Sequence, residues 1–119
     1  MRKRIIVLED DESIRDIMHL ILAMEDYDTE SYDSVNAFKN RESCAPDLFI
    51  LDVILPDGNG IDICKELKGL NDTAPVLMMS TNAIWKDIEQ GCPADGFIKK
   101  PFGMNQMLDK IRKLIDGAA

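Results

Sequence analysis

The sequence predicts an α/β fold in which helices cover both faces of a five-stranded parallel sheet. Short apolar runs bounded by turn or acidic residues alternate five times with longer stretches of helical period. The central runs are apolar at every residue rather than every second one, which marks strands buried on both faces. Parallel neighbours of this kind are joined by right-handed crossovers, and such sheets place their sites at strand C-terminal ends, near the point where strand order reverses.

Ile5-Ile6-Val7-Leu8 is the first strand, closed by Glu9-Asp10-Asp11. Ile14, Ile17, Met18, Ile21 and Leu22 then fall at helical spacing and give the first helix an inward face. Tyr27 to Tyr32 alternates weakly and is polar, as suits a sheet edge, and Ser34 caps a short helix carrying Val35 and Phe38. Leu48-Phe49-Ile50-Leu51 is a fully buried strand. It leads into the turn-rich loop Pro56-Asp57-Gly58-Asn59-Gly60 and a helix with Ile61, Cys64 and Leu67 on one stripe, which Gly69 helps to end. Val76-Leu77-Met78-Met79 is the fourth strand. Ile84, Trp85 and Ile88 give the weakest helical signal before Gly91-Cys92-Pro93 breaks it, and Trp85 is expected to pack against the sheet. Gly96-Phe97-Ile98-Lys99 is the last strand, and Met104, Met107, Leu108, Ile111, Leu114 and Ile115 form the clearest amphipathic stripe. No repeat, low-complexity tract or linker interrupts the pattern, so one domain is expected over residues 1–119.

Composition narrows the function. A chain of 119 residues, 45% hydrophobic, buries roughly two-thirds of its unfolded surface without a covalent cross-link. With 22 acidic against 14 basic side chains its formal charge is −8, which repels phosphate backbones and anionic lipid. No direct nucleic-acid or membrane partner is therefore expected; cations and basic protein faces are favoured. Cys44, Cys64 and Cys92 are odd in number and widely spaced, as buried thiols of a reducing compartment would be. The basic N-terminus is followed by an apolar run that stops at Leu8, too short for a signal-peptide core or a span, and the expected location is cytoplasmic. His19, the sole histidine, lies off the helix stripe and is read as solvated. It leaves no ligand set for a Ser-His-Asp hydrolase or a structural zinc site. The seven methionines mostly occupy strand or stripe positions as core gap-fillers.

The chemistry gathers at the strand ends: Glu9-Asp10-Asp11 after the first strand, Asp52 after the third, Ser80 after the fourth and Lys100 after the fifth. Several carboxylates in one crevice repel one another unless a cation neutralises them or some take up protons. Mg²⁺ suits this inventory, because it takes oxygen ligands, keeps several waters and typically binds through one or two carboxylates plus a phosphate. Phosphoryl chemistry asks the protein mainly for positioning and charge stabilisation, which Lys100 and Ser80 can supply. Asp52, at the end of an apolar strand, is then the best placed nucleophile, able to carry a phosphoryl group as a reactive acyl phosphate.

This constellation resembles the receiver domain of two-component response regulators over essentially the whole chain. The resemblance rests on Val7-Leu8-Glu9-Asp10-Asp11 with Ile14-Arg15, on Leu51-Asp52 with Pro56 and Gly60, on Ser80, and on Lys100-Pro101-Phe102. It implies a flavodoxin-like (βα)5 three-layer sandwich of strand order 2-1-3-4-5, chemotaxis-regulator-like. It makes Asp52 the phosphoacceptor, and it makes Glu9, Asp10, Asp52 and the backbone carbonyl of Ile54 ligands of Mg²⁺ or Mn²⁺, with Asp10 the more direct of the acidic pair. Of the neighbours Lys99 and Lys100 only one can face the site, since successive strand residues point opposite ways; the family's choice is Lys100, with a cis bond to Pro101. Ser80 corresponds to the switch hydroxyl and Phe97 to the switch aromatic.

The implied activity is Mg²⁺-dependent transfer of a phosphoryl group from a phosphohistidine of a sensor histidine kinase or histidine phosphotransfer protein to Asp52. The phosphoryl group would switch the surface of the fourth helix, fifth strand and fifth helix toward a downstream effector. Such a domain is not an enzyme in its own right, although it promotes its own phosphorylation and dephosphorylation. Kinase, effector and phosphorylation-linked homodimerisation stay open. Thr81 departs from the family by replacing a smaller residue, the stretch from Ser80 to Phe97 is about two residues short, and Ile54 and Asn82 occupy variable positions that tune the acyl-phosphate lifetime. These departures motivate an alternative, a pseudo-receiver that binds a partner without being phosphorylated. A flavin carrier of the same layout would need a glycine- and hydroxyl-rich loop where this chain has acids.

Overall fold

Five strands form the central parallel sheet of the computed structural model, which describes residues 2–41, 45–70, 74–81 and 94–117. In chain order the elements are β1 (Arg4–Leu8), α1 (Glu12–Met24), β2 (Asp28–Tyr32), α2 (Val35–Lys39), β3 (Leu48–Asp52), the two-residue strands β4 (Ile54–Leu55) and β5 (Gly58–Asn59), α3 (Gly60–Lys68), β6 (Val76–Ser80), β7 (Gly96–Lys99) and α4 (Met104–Ile115). The sheet order is β2-β1-β3-β6-β7, which is the expected 2-1-3-4-5 once the two short strands are set aside. All four pairings are parallel, and Ile6 lies opposite both Glu30 and Phe49.

The pleat divides the core in two. Ile5, Val7, Leu48, Ile50, Leu77, Met79 and Ile98 face α1 and α4, where they meet Met18, Ile21, Leu22, Met107, Leu108 and Ile111. Ile6, Leu8, Phe49, Leu51, Val76 and Met78 face α2 and α3, where they meet Phe38, Ile63, Cys64 and Leu67. Burial of each such side chain is worth about 1.5–3 kcal/mol. The edge strand β2 is polar and only partly buried, as its weak alternation predicts. Ser34 caps α2 by accepting from the Ala37 N–H at 3.1 Å, and Asn59 caps α3 through Asp62 at 2.9 Å.

Several expectations need correction. Ile17 is 53% and Met104 49% exposed, because each sits at the margin of its helix stripe beyond the reach of the sheet. With Leu20 and Met24, also exposed, Ile17 forms an outward apolar row on α1. His19 is partly buried and its Nε2 pairs with Ser31 Oγ at 2.7 Å, since α1 lies across β2 there. Residues 56–60 are not a plain loop: Ile54 pairs with Asn59 and Leu55 with Gly58 in a small antiparallel hairpin. Cys64 is disulfide-bonded rather than a free buried thiol, because spacing along the chain does not say which cysteines the fold brings within bonding distance. Cys44, Cys92, Asn82 and the helical stretch around Ile84, Trp85 and Ile88 lie outside the described residues. No helix among the described residues is long and apolar enough to cross a membrane.

Candidate functional site

The C-terminal ends of β1, β3, β6 and β7 meet in one cleft of about 270 Å³ lined by Glu9, Asp10, Asp52, Ile54, Ser80 and Lys100, among others. Strand pairing does the gathering. Leu8 is in register with Leu51, Asp52 with Met79 and Ser80 with Lys99, so four neighbouring strands end at nearly one level. By alternation Glu9, Asp52 and Lys100 belong to the α1/α4 side of the sheet, while Ser80 and Phe97 belong to the other.

Glu9 is fully buried and its carboxylate is occupied at both oxygens: Oε1 accepts from Lys100 Nζ, and Oε2 accepts from the Asp11 N–H at 3.2 Å. Its backbone is fixed as well, since its N–H donates to Tyr32 O at 3.0 Å and Arg15 Nη1 donates to its carbonyl at 2.8 Å. Asp10 is exposed at the mouth, and Asp11 caps α1 by accepting from the Ile14 N–H at 3.0 Å. Asp52, 7% exposed, accepts from Lys100 Nζ at 3.0 Å. Lys100 is held by its own backbone, whose N–H donates to Ser80 O at 2.8 Å, and its bond to Pro101 is cis as the resemblance implies. Lys99 points outward and is exposed.

One ammonium therefore serves two buried carboxylates. Burial alone lowers the Lys100 pKa, but hydrogen bonds to Glu9 and Asp52 and their charges outweigh it, and the net shift is upward. Asp10 is also shifted up, first by desolvation and then by its hydrogen bond with Glu9 and that group's charge. Oxygens of Glu9, Asp10 and Asp52 lie within 4.8 Å of one another, an all-oxygen donor set open to solvent on the Asp10 side. That set fits a hard divalent cation such as Mg²⁺, which receiver domains bind at an acidic pocket.

Other predicted residues fall around this centre. Ser80 is buried on the cleft wall, and Ile54 and Thr81 stand exposed on its rim. Phe97 does not line the cleft; half-buried, it packs with the α2/α3 core. An apolar hollow of about 380 Å³ adjoins the cleft between α1 and the 100–102 loop, with Ile14, Ile17, Pro101 and Phe102 in its walls.

Three supports escape a reading that looks only for reactive groups. Arg15 ties α1 to the Glu9 carbonyl. Gly60 lies so close to the Asp52 backbone that a Cβ there would fall 2.1 Å from Asp52 O, and its N–H donates to Val53 O at 2.8 Å. Asp57 accepts from the N–H groups of Val35 at 2.8 Å and Asn36 at 2.9 Å. The last was hidden in a turn where an aspartate needs no special reason.

The sheet order and this cleft define a receiver. Residues 5–112 match the family model for the response regulator receiver domain, and the chain belongs to that family. It is similar to the response regulator MprA of Mycobacterium tuberculosis, with 30% identity over 118 residues, 97% of this chain and 51% of that protein. It is also similar to the DNA-binding response regulator MtrA of Mycolicibacterium paratuberculosis, with 33% identity over 115 residues, 94% of this chain and 51% of that protein. The chain thus spans about half the length of these relatives. Among solved structures, a CheY-like receiver domain protein from Methanospirillum hungatei superimposes with a TM-score of 0.88 at 25% identity, covering 98% of this chain and 96% of that one. Membership places the chain in two-component signalling, where response regulators interact with histidine kinases.

Proposed function

We propose that this domain accepts a phosphoryl group on Asp52 from the phosphohistidine of a sensor histidine kinase or histidine phosphotransfer protein. The observation that carries the reading is the Lys100 ammonium pinned between Glu9 and Asp52 in a cleft whose mouth holds Asp10. A carboxylate oxygen of Asp52 attacks phosphorus, the O–P bond forms as the P–N bond to the imidazole breaks, and the bonding pair leaves with the histidine. Lys100 keeps Glu9 as its anchor and turns from the Asp52 carboxylate to a phosphoryl oxygen. Ser80 supplies a second donor from the cleft wall, and its movement gives Phe97 the space to follow. Glu9, Asp10, Asp52 and the Ile54 carbonyl would hold Mg²⁺, or Mn²⁺, which neutralises carboxylate and phosphoryl charge when bound. The dephosphorylated donor departs and the phosphoryl group stays on Asp52 until water removes it as phosphate; the domain promotes its own modification and its reversal without being an enzyme in the usual sense.

Adding about two negative charges at Asp52 biases the face of β7 and α4; the helix expected between β6 and β7 to complete that face lies outside the described residues. If this chain is half of a longer protein, as its relatives' lengths suggest, that face addresses an effector such as the DNA-binding part that MtrA's name declares. Thr81, exposed on the rim, leaves the cleft open, which supports the phosphoacceptor reading over the pseudo-receiver one; the short stretch before β7 that also motivates the alternative lies outside the described residues. The test is to incubate the protein with Mg²⁺ and a small phosphodonor and compare intact masses. Wild type gains one phosphate and Asp52→Ala gains none; an adduct on both overturns the assignment.

A further inference from the structure

The hairpin that follows Asp52 is gripped at both ends. At its base, Val53 N–H donates to Met79 O at 3.0 Å, and Gly60 closes onto Val53 O and the Asp52 carbonyl. At its tip, the two oxygens of Asp57 reach across 22 and 21 residues of sequence to the first two N–H groups of α2. Gly58 completes the outer contact, since a Cβ there would lie 3.0 Å from Val35 Cγ2. Between these grips stand only two ladder pairs, and of the pair Ile54 and Leu55 only Leu55, 6% exposed, reaches the core, while Ile54 is 61% exposed, so one packed side chain and a short ladder are all that otherwise hold this segment.

Asp57 does not belong to the segment that leads into α2: from 22 and 21 residues further along it takes the Val35 and Asn36 N–H groups, which the local cap leaves open. That local cap of α2 is Ser34, whose Oγ accepts from the Ala37 N–H. A second, anionic cap arriving from a distant hairpin constrains the hairpin more than a helix of five residues. We propose that Asp57 is a positioning residue of the carboxylate site: seated on the Val35 and Asn36 N–H groups, it holds the 54–59 hairpin, and with it Ile54 on the cleft rim, where cation binding requires them. The inference rests on the reading of the cleft given above and deepens it by naming what keeps the rim in place.

The test compares Asp57→Ala, Asp57→Asn and Ser34→Ala, titrating each with Mg²⁺ alone by calorimetry and by amide spectra, and following phosphate uptake by mass. Loss of a supporting residue around a metal site costs about 10- to 100-fold in affinity. For Asp57→Ala a tenfold weaker Mg²⁺ affinity is expected, with faster amide exchange at Val53 and Gly60. Asp57→Asn keeps one acceptor oxygen and falls between, and it carries the comparison should the alanine variant not fold. Ser34→Ala loosens α2 yet binds Mg²⁺ within about twofold of wild type. Wild-type affinity in both Asp57 variants overturns the proposal, as does equal weakening by Ser34→Ala, which would leave Asp57 a helix cap and nothing more. A wild type that binds Mg²⁺ but takes up no phosphate, with Asp57→Ala still weakened, supports the pin and overturns only the acceptor assignment.

Discussion

Replacing Lys100 by methionine tests whether the ammonium is what makes the acid cluster tolerable. Its Nζ contacts Glu9 and lies 3.0 Å from Asp52, and the three side chains are 8%, 1% and 10% exposed, so water screens the arrangement poorly. Methionine preserves most of the stem and removes the charge, leaving two buried carboxylates facing each other with Asp10 close by. Removing one partner of a buried ion pair costs about 3–5 kcal/mol. Uptake of a proton by one carboxyl recovers part of this, so a loss of about 3 kcal/mol at pH 7 without divalent ions is expected. Mg²⁺ at a hundred times its dissociation constant returns about 2.7 kcal/mol, and the variant should bind it more tightly than wild type, having lost the competing cation. Urea unfolding with and without Mg²⁺ reads both quantities. Phosphate uptake stays about 10²-fold slower even at saturating Mg²⁺, because a donor to the phosphoryl oxygens is missing. A loss below about 0.5 kcal/mol, or Mg²⁺ stabilising wild type more than the variant, would refute this account of Lys100.

Two more outcomes follow from the same geometry. Gly60→Ala places a methyl 2.1 Å from Asp52 O, and because the closest neighbour is strand backbone rather than the end of a flexible side chain, no small adjustment relieves it. Urea unfolding should show a loss of about 3 kcal/mol, with phosphate uptake falling alongside. Asp10 has a raised pKa in the folded protein, so the folded state holds its proton more tightly than the unfolded chain, and stability falls as pH rises from the ordinary value of 3.8 through the raised one. Asp10→Asn removes that loss: without divalent ions its urea midpoint should exceed wild type's at pH 7 and approach it near pH 3. Adding Mg²⁺ reverses the pH 7 ranking, and an unchanged ranking would show that Asp10 does not hold the ion.

Much of this molecule is legible in the sequence because its strands are apolar throughout. Leu48–Asp52 and Val76–Ser80 are buried at every residue, and only a central parallel strand accounts for such runs. The strand-end rule then places Glu9, Asp52 and Lys100 together, and they do touch. What escapes is set by three-dimensional margins. Periodicity assigns Ile17 and Met104 to helix faces but not to the edge of those faces, where the sheet no longer covers them. His19 becomes partly buried because β2 runs beneath it, which spacing within one helix does not reveal. The partition of roles among the acids is also invisible: Glu9 and Asp10 are neighbours in sequence, yet one is buried against an ammonium and the other open to water. Pro56-Asp57-Gly58 reads as a turn on composition, and only coordinates show that its carboxylate grips another element.

The ion pair between Glu9 and Lys100 joins residues 91 positions apart, with Asp52 midway between them. Contacts of such separation must close a long loop of chain before they reward it. A nascent polypeptide that has emerged only as far as β6 already exposes both kinds of acid but lacks the lysine that reconciles them. The carboxylate cleft is thus left incomplete until synthesis has delivered β7 and the residue after it, and no fragment that ends at β6 holds the cation that its acids share.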